Sequence, residues 1–458
     1  MLLPFYFKRV SENRYLVSNL LRQFQFVDRA QFDKLCAGNF DRELKNFFAA
    51  ESELDSVAEE YRRLNAGLFY GATLHIFVLT LACNLNCLYC QAEYSRGGKP
   101  FMSAETARRA VEVALSSPED ELHFEFQGGE PLLNFDALKT IVECANELRG
   151  DKVVKFSLVT NAQAMTDEIL SYLAAHDVQI TFSIDGPKFI HDANRPTKDG
   201  SSNFDRVFHW FKRACDVYAE KNFIRALPTT TRLSLSHAKE IVDFYCALDV
   251  ADISLRELSP FGRVGKNFDA IGYTPQEFLN FYRECMDYII ALNLSGKTNL
   301  TESLSKMILQ KIFGRHVVNY PDLRSPCGAT IGQIAYNWNG DIYTCDEGRM
   351  LANRGIENFR VGNVRENSYR ECLLSAAACE VCNASCVESN PSCESCIYNP
   401  ICGLCPVYSF FTQGDFVGVP IRQARCKILR GIYDYLIEWS NCEDTARKNL
   451  CERWGTEP

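Results

Sequence analysis

Nothing in this 458-residue chain is apolar for long enough to span a bilayer, which argues against a membrane role. Positive charge is in deficit. The 49 Lys and Arg face 58 Asp and Glu, for a net charge of −9, so nucleic acid is not an expected partner. An export signal is also missing. The opening Met1-Leu2-Leu3-Pro4-Phe5-Tyr6-Phe7-Lys8-Arg9 is too short and too soon charged for one, and a cytoplasmic location is expected. Cysteine, in contrast, is plentiful. There are 21, an odd count, and eleven of them lie between Cys327 and Cys426. Without export this density points to metal rather than to disulfides. The length suggests two or three domains.

One stretch organises the rest: Cys83-Asn84-Leu85-Asn86-Cys87-Leu88-Tyr89-Cys90. It presents three thiolates to one point, and no His or Cys follows closely to complete a structural zinc site. Four thiolates normally close an iron–sulfur cluster. Three leave one iron of a [4Fe-4S] cube open to a substrate or cofactor. Exposed iron is oxygen-labile, so anaerobic or reducing conditions are expected. The bland alternative is three reduced thiols in a loop. The CxxxCxxC spacing, with Tyr89 before the last Cys, resembles the cluster loop of radical S-adenosylmethionine (SAM) enzymes.

The chain in order fits that resemblance. Residues 1–70 read as a small α+β unit. Tyr15 to Val17 and Phe24 to Val27 read as strands, Ala30 to Cys36 as a helix, and Asp41 to Asn65 as a longer helical stretch. This order resembles part of the peptide-recognition element of enzymes that modify ribosomally made peptides. The competing reading is a cap packed on a barrel. From Thr73 strands and helices alternate. Strands are expected at Leu74–Leu79, Glu121–Phe126, Val153–Val159, Val178–Ile184, Phe223–Pro228 and Ile253–Leu258. Such alternation implies α/β architecture with a parallel sheet and right-handed crossovers. Six units resemble the partial (β/α)6 barrel of radical SAM enzymes. Ligands then belong at the carboxyl ends of the strands.

The polar motifs fall there. Gln127-Gly128-Gly129-Glu130-Pro131 follows the second strand and Thr160-Asn161-Ala162 the third. Ser183-Ile184-Asp185-Gly186 ends the fourth, and Glu257-Leu258 the sixth. Glycines 128 and 129 let backbone approach a ligand closely. Glu130 suits an ammonium, Ser183 a carboxylate, and Arg195 offers a planar fork for a carboxylate. The run from Ser183 through His191-Asp192-Ala193-Asn194-Arg195 to Asn203-Phe204-Asp205 is similar to that of anaerobic sulfatase-maturating enzymes and related peptide maturases. By that resemblance Tyr89, Gly129, Ser183 and Arg195 contact SAM, with Leu258 a wall beside adenine. Gly128, Glu130, Asn161 and Asp185 complete the expected cofactor site.

Thr274 to Leu292 and Leu300 to Phe313 read as bridging helices. The cysteine-rich part follows. Gly332 to Asn337, the turn Asn339-Gly340 and Asp341 to Thr344 predict a hairpin that ends in Cys345. The CxxC pairs Cys393/Cys396 and Cys402/Cys405, with Cys327 and Cys426, suit zinc or iron–sulfur equally by spacing. The seven positions resemble the SPASM domain, which holds auxiliary [4Fe-4S] clusters. That resemblance implies one cluster on Cys393, Cys396, Cys402 and Cys426, and another on Cys327, Cys345 and Cys405. The sulfatase-maturase group has a further Cys between the positions of Cys327 and Cys345, and this chain has none. The fourth corner is then open, or one of Cys372, Cys379, Cys382 and Cys386 fills it. The run Cys379 to Cys386 leaves room for a third metal site. Asp346 matches the Asp that takes a proton from substrate in that group, the alternative being a turn cap. Cys442 and Cys451 read as free thiols in a last helical stretch.

The expected domains are residues 1–70, a barrel at 71–260, a helical bridge at 261–320, an auxiliary-cluster domain at 321–430 and a terminal helix at 431–458. The resemblance implies reductive cleavage of SAM to a 5′-deoxyadenosyl radical and oxidation of a side chain in a ribosomally made peptide. A flavodoxin- or ferredoxin-type donor would supply the electron. The opening residues and the Tyr15 to Phe26 pattern look like the maturase of the His-Xaa-Ser peptide system, whose relatives form carbon–carbon cyclophane cross-links. Thioether formation and formylglycine-type oxidation are the rival outcomes. A cluster protein that only carries electrons, or a zinc scaffold, is the rival class.

Overall fold

The computed structural model describes residues 1–92, 100–218, 223–314 and 320–457. The N-terminal unit is a three-stranded antiparallel sheet of β1 (Phe5–Ser11), β2 (Arg14–Asn19) and β3 (Phe24–Asp28), in that order. β1 was not expected. Its consecutive aromatics and charges lack the alternation that marks a half-buried strand, and much of it is exposed at the sheet edge. Asp28 and Gln31 form a capping box that starts the helix Arg29–Cys36. The stretch expected as one helix over 41–65 is broken. A 3-10 turn, Arg42–Phe47, stops where Phe48 bridges to Leu2, and the α-helix begins only at Leu54 and ends at Leu64. The sheet is tied to the cysteine-rich region. Ser18 Oγ donates to the Ile397 carbonyl at 2.8 Å, and Lys8 Nζ lies 2.6 Å from Asp434.

The central sheet has eight strands. β4 (Leu74–Val78), β5 (Glu121–Gln127), β6 (Val153–Thr160), β7 (Val178–Phe182) and β8 (Ile224–Ala226) run parallel in sequence order. Helices fill the crossovers. Ala104–Leu115 starts at Ser103, whose side chain accepts from the Thr106 N–H, and Asp167–Ala175 starts at Thr166, which accepts from Ile169. The architecture is α/β with a parallel-dominated sheet, but the expected sixth strand does not join that sheet. β9 is only Asp252–Ile253 and pairs in parallel with β10 (Thr301–Glu302). Past Ile253, the Leu255 N–H donates to the buried Glu302 carboxylate at 3.1 Å instead of to a neighbouring strand. The same carboxylate accepts from Ser305 at the start of the helix Ser303–Phe313.

The expected hairpin forms as β11 (Gln333–Tyr336) and β12 (Asp341–Tyr343), and β13 (Arg360–Asn363) adds to it. β11 lies parallel to β4 and extends the barrel sheet. The last helical stretch is two helices, Ala424–Ser440 and Thr445–Thr456. Among the described residues no helix is long and apolar enough to cross a membrane.

His75 of β4 seals the β4–β11 junction. It is fully buried, its Nδ1 is 3.0 Å from the Tyr336 hydroxyl, and its Nε2–H donates to the Ala72 carbonyl at 3.1 Å. Burial pushes its pKa down to about 3. The unfolded chain therefore takes up a proton at higher pH than the folded one. The stability held by neutral His75 is complete above about pH 6.5 and is lost as pH falls from there toward about 3. In that window the slope approaches about 1.4 kcal/mol per pH unit. Denaturant melts at pH 7.5 and 5.5 check this, and His75→Gln is expected to flatten the difference.

Candidate active site

The cysteine loop leaves β4 and is held from several sides. The Asn86 N–H donates to the Pro196 carbonyl at 2.8 Å and the Leu88 N–H to Asn194 at 3.0 Å. The Arg263 N–H donates to the Cys90 carbonyl at 2.9 Å, and Asn267 Nδ2 to the Leu88 carbonyl at 2.6 Å. Gly262, at φ +63°, lies so close that an added Cβ would stand 2.2 Å from the Cys90 oxygen. None of these bonds uses a thiol. Cys83, Cys87 and Cys90 line one cavity at the carboxyl end of the sheet. Burial pushes Cys83 and Cys87 up to about 12.

Seven of the expected cofactor residues line that cavity: Tyr89, Gly128, Gly129, Glu130, Asn161, Ser183 and Arg195. Asp185 sits behind it, fully buried, and fixes two of them. Asp185 accepts from the Tyr89 hydroxyl at 2.6 Å, Arg195 Nε at 3.0 Å and the Thr229 N–H at 3.1 Å. Burial opposes the charge on Arg195, but Asp185 and Tyr89 outweigh it and raise the guanidinium pKa further. Arg195 also lies 5.3 Å over the Tyr89 ring. Leu258 lines the adjoining cavity instead.

The two glycines are required by the chain itself. The Gly129 N–H donates to the Thr80 carbonyl at 2.7 Å and the Glu130 N–H to Ala82 at 2.8 Å. A Cβ on Gly128, at φ +154°, would meet the Thr80 oxygen at 2.3 Å, and one on Gly129 the Ala82 oxygen at 2.2 Å. The close approach read as ligand contact is thus an approach to the start of the cysteine loop. Glu130 has a similar internal duty. Its buried carboxylate accepts from Thr160 Oγ1 at 2.6 Å, the Asn161 N–H at 2.8 Å and the Leu132 N–H at 3.1 Å. Burial still lifts its pKa to about 7. Asn161 links this end to the loop, with Nδ2 donating to Asn84 Oδ1 at 2.9 Å.

The cavity also takes Gln91, Arg256, Glu257 and Met350. Met350 lies on the helix Asp346–Ala352 of the cysteine-rich region, and sequence reasoning gave no sign of it. Two bonds place that helix: Asn353 Nδ2 to the Ala92 carbonyl at 2.7 Å, and Arg354 Nη2 to Gly262 at 2.6 Å. Gln91, Arg256 and Glu257 also line a second cavity, shared with Leu258, Asp322, Glu347, Cys405 and Arg425.

The remaining cysteines fall into groups. Cys393, Cys396, Cys402 and Cys426 line one cavity, and each of the other three is an electrostatic neighbour of Cys393. Cys345 neighbours both Cys327 and Cys405. Its Sγ accepts from the Gly348 N–H at 3.4 Å, as Cys405 Sγ does from Tyr408 at 3.4 Å. Asp346 is buried and turned onto Arg349, accepting at 3.1 and 2.6 Å. Cys382 neighbours Cys379 and Cys386. Among the described residues no three His, Cys, Asp or Glu side chains converge tightly enough to hold a single metal ion. Two groups of cysteines that each line a cavity, and a third of three neighbouring thiols, match the donor chemistry of iron–sulfur clusters.

Residues 77–244 match the model of the radical SAM superfamily. A radical SAM cyclopropyl synthase, TigE, of Paramaledivibacter caminithermalis is 25% identical over 353 residues, covering 72% of this chain and 69% of that one. A cysteine-type anaerobic sulfatase-maturating enzyme of Clostridium perfringens is 22% identical over 332 residues, or 70% and 84% of the two chains. An uncharacterized protein of Methanocaldococcus jannaschii is 30% identical over 187 residues, and the match spans 62% of its length. In fold, the chain resembles anSMEcpe with bound AdoMet, at a TM-score of 0.67 and 18% identity, over 83% of this chain and 99% of that one. It also resembles Streptococcus suis SuiB bound to its precursor peptide SuiA, at 0.59 and 16%, over 92% and 98%.

Proposed function

We propose that the chain, whose residues 77–244 match the radical SAM superfamily, is a radical SAM enzyme that matures a ribosomally made peptide by oxidising one of its side chains. The observation that carries this reading is a pair of adjacent cavities with shared lining residues. The one lined by Cys83, Cys87 and Cys90 shares Gln91, Arg256 and Glu257 with the one that reaches Cys405. A substrate side chain between them would face a radical source on one side and an electron acceptor on the other. Cys83, Cys87 and Cys90 would hold a [4Fe-4S] cluster, which with SAM would supply a 5′-deoxyadenosyl radical able to take hydrogen from an unactivated carbon.

The chain's own residues orient and exclude. Arg195, fixed by Asp185, offers its fork to the methionine carboxylate, with Ser183 as a second donor. Tyr89 and Leu258 supply apolar walls. Glu130 keeps acceptor capacity for the ammonium beyond its three internal bonds. Asp346, held in one orientation by Arg349, is the proposed proton acceptor. Cys393, Cys396, Cys402 and Cys426 would hold one auxiliary cluster, and Cys327, Cys345 and Cys405 the other. The domain limits follow the same division, with the barrel at 71–260 and the auxiliary-cluster domain at 321–430.

The bond favoured is a carbon–carbon cross-link, with thioether formation and formylglycine-type oxidation as alternatives. In support, one relative is a cyclopropyl synthase, and the fold neighbour SuiB binds a precursor peptide, SuiA. A flavodoxin- or ferredoxin-type protein in the cytoplasm completes the reading as electron donor. Anaerobic reconstitution with iron and sulfide, followed by dithionite and SAM, tests it. Deoxyadenosine is expected. A cluster-replete protein that forms none, with or without peptide, would contradict the radical chemistry.

A further inference from the structure

The group on Cys327, Cys345 and Cys405 has three thiols, and Cys372, Cys379, Cys382 and Cys386 are not among their main electrostatic neighbours. Cys372 is buried beside Tyr336 and Tyr369. The segment that carries Cys382 and Cys386 backs onto the main chain of Cys327, whose N–H donates to Ser385 Oγ at 2.9 Å. What the three thiols share is a carboxylate. Glu347 is an acidic neighbour of Cys327, Cys345 and Cys405 alike, and it lines the same cavity as Cys405. It sits two residues after Cys345, on the first turn of the same helix. The other candidate, Asp322, already faces Arg425, with Oδ2 3.5 Å from Nη2. Asp346 is committed to Arg349.

The Glu347 carboxylate is half-buried, and carboxylates ligate iron. We propose that the Glu347 carboxylate is the fourth protein ligand of the cluster held by Cys327, Cys345 and Cys405. The inference rests on the reading that these thiols hold a cluster at all. It explains how the chain omits a cysteine without leaving the iron bare between reactions. Replacing thiolate with a less electron-donating ligand raises a cluster's potential, which suits an acceptor of substrate electrons. The ligand also lines the cavity adjacent to that of Cys83, Cys87 and Cys90, where an incoming substrate could displace it.

The test uses the full chain with Cys83, Cys87 and Cys90 changed to Ala, so that only auxiliary clusters remain. Iron and sulfide are counted, the reduced protein is examined by electron paramagnetic resonance, and the clusters are titrated. Glu347→Cys is expected to keep the iron count and shift one midpoint to a more negative potential. Glu347→Gln is expected to change the spectrum of that cluster alone. In unsubstituted protein grown with carbon-13 glutamate, electron–nuclear double resonance should show carbon coupled to the cluster, a readout independent of how the variants fold. Unchanged spectra and midpoints in both variants, with no carbon coupling, overturn Glu347 ligation while the clusters stand. Absence of auxiliary iron in the parent overturns both readings.

Discussion

Changing Cys83, Cys87 and Cys90 together to Ala is expected to remove all deoxyadenosine formation and about four of about twelve irons per chain. The fold should survive. The loop is held by backbone bonds from Asn86, Leu88 and Arg263, and by the Asn267 side chain, none of which involves sulfur. The chemistry should not. Burial holds the Cys83 and Cys87 thiols protonated to about pH 12 without metal, so only a bound metal draws the thiolates out at neutral pH. Iron and sulfide counts, deoxyadenosine by chromatography and a thermal melt separate the effects. Residual deoxyadenosine in a folded triple variant would place the radical source elsewhere.

The second large effect is expected at Asp185, which lies behind the cavity lined by Tyr89 and Arg195. Asp185→Ala leaves the Arg195 guanidinium, whose side chain is 10% exposed, without the carboxylate it pairs with. It also strips the acceptor from Tyr89 and from the Thr229 N–H. Removing one member of such a buried pair costs about 3–5 kcal/mol, because the other charge is left uncompensated. Denaturant unfolding measures this. SAM affinity should fall with it, since Tyr89 and Arg195 both lose their fixed orientation. The double variant Asp185→Leu/Arg195→Leu removes the stranded charge and is expected to recover part of the stability but none of the SAM binding. Equal loss of stability in the single and double variants would show that packing, not charge, is at stake.

The part of the site that was legible is the part written in short spacings. Cys83, Cys87 and Cys90 are neighbours in sequence, so their convergence needs no tertiary knowledge. The glycine pair, Asn161, Ser183 and Arg195 were found because strand ends in a parallel sheet meet on one edge. Long-range contacts were not legible. Nothing local says that β11 will pair with β4, or that Met350 will reach the cavity of Cys83, Cys87 and Cys90 from a distant helix. The sixth strand misled because Ile253 to Leu258 has a buried strand's composition, while Glu302, some fifty residues away, takes the backbone donor of Leu255. Glu130 and the glycines were found at the right place but for a different first reason. Their tightest contacts are to Thr80, Ala82 and Thr160, and a motif cannot distinguish ligand contact from self-contact.

The most direct test of peptide maturation follows one hydrogen. Reconstituted enzyme, SAM and reductant are combined with a candidate precursor peptide, deuterated at its side-chain carbons. Peptide oxidation driven by the deoxyadenosyl radical requires deuterium to appear in deoxyadenosine and the peptide to become lighter by two hydrogens, or their deuterium equivalents. Deoxyadenosine that stays unlabelled while the peptide mass is unchanged would contradict it.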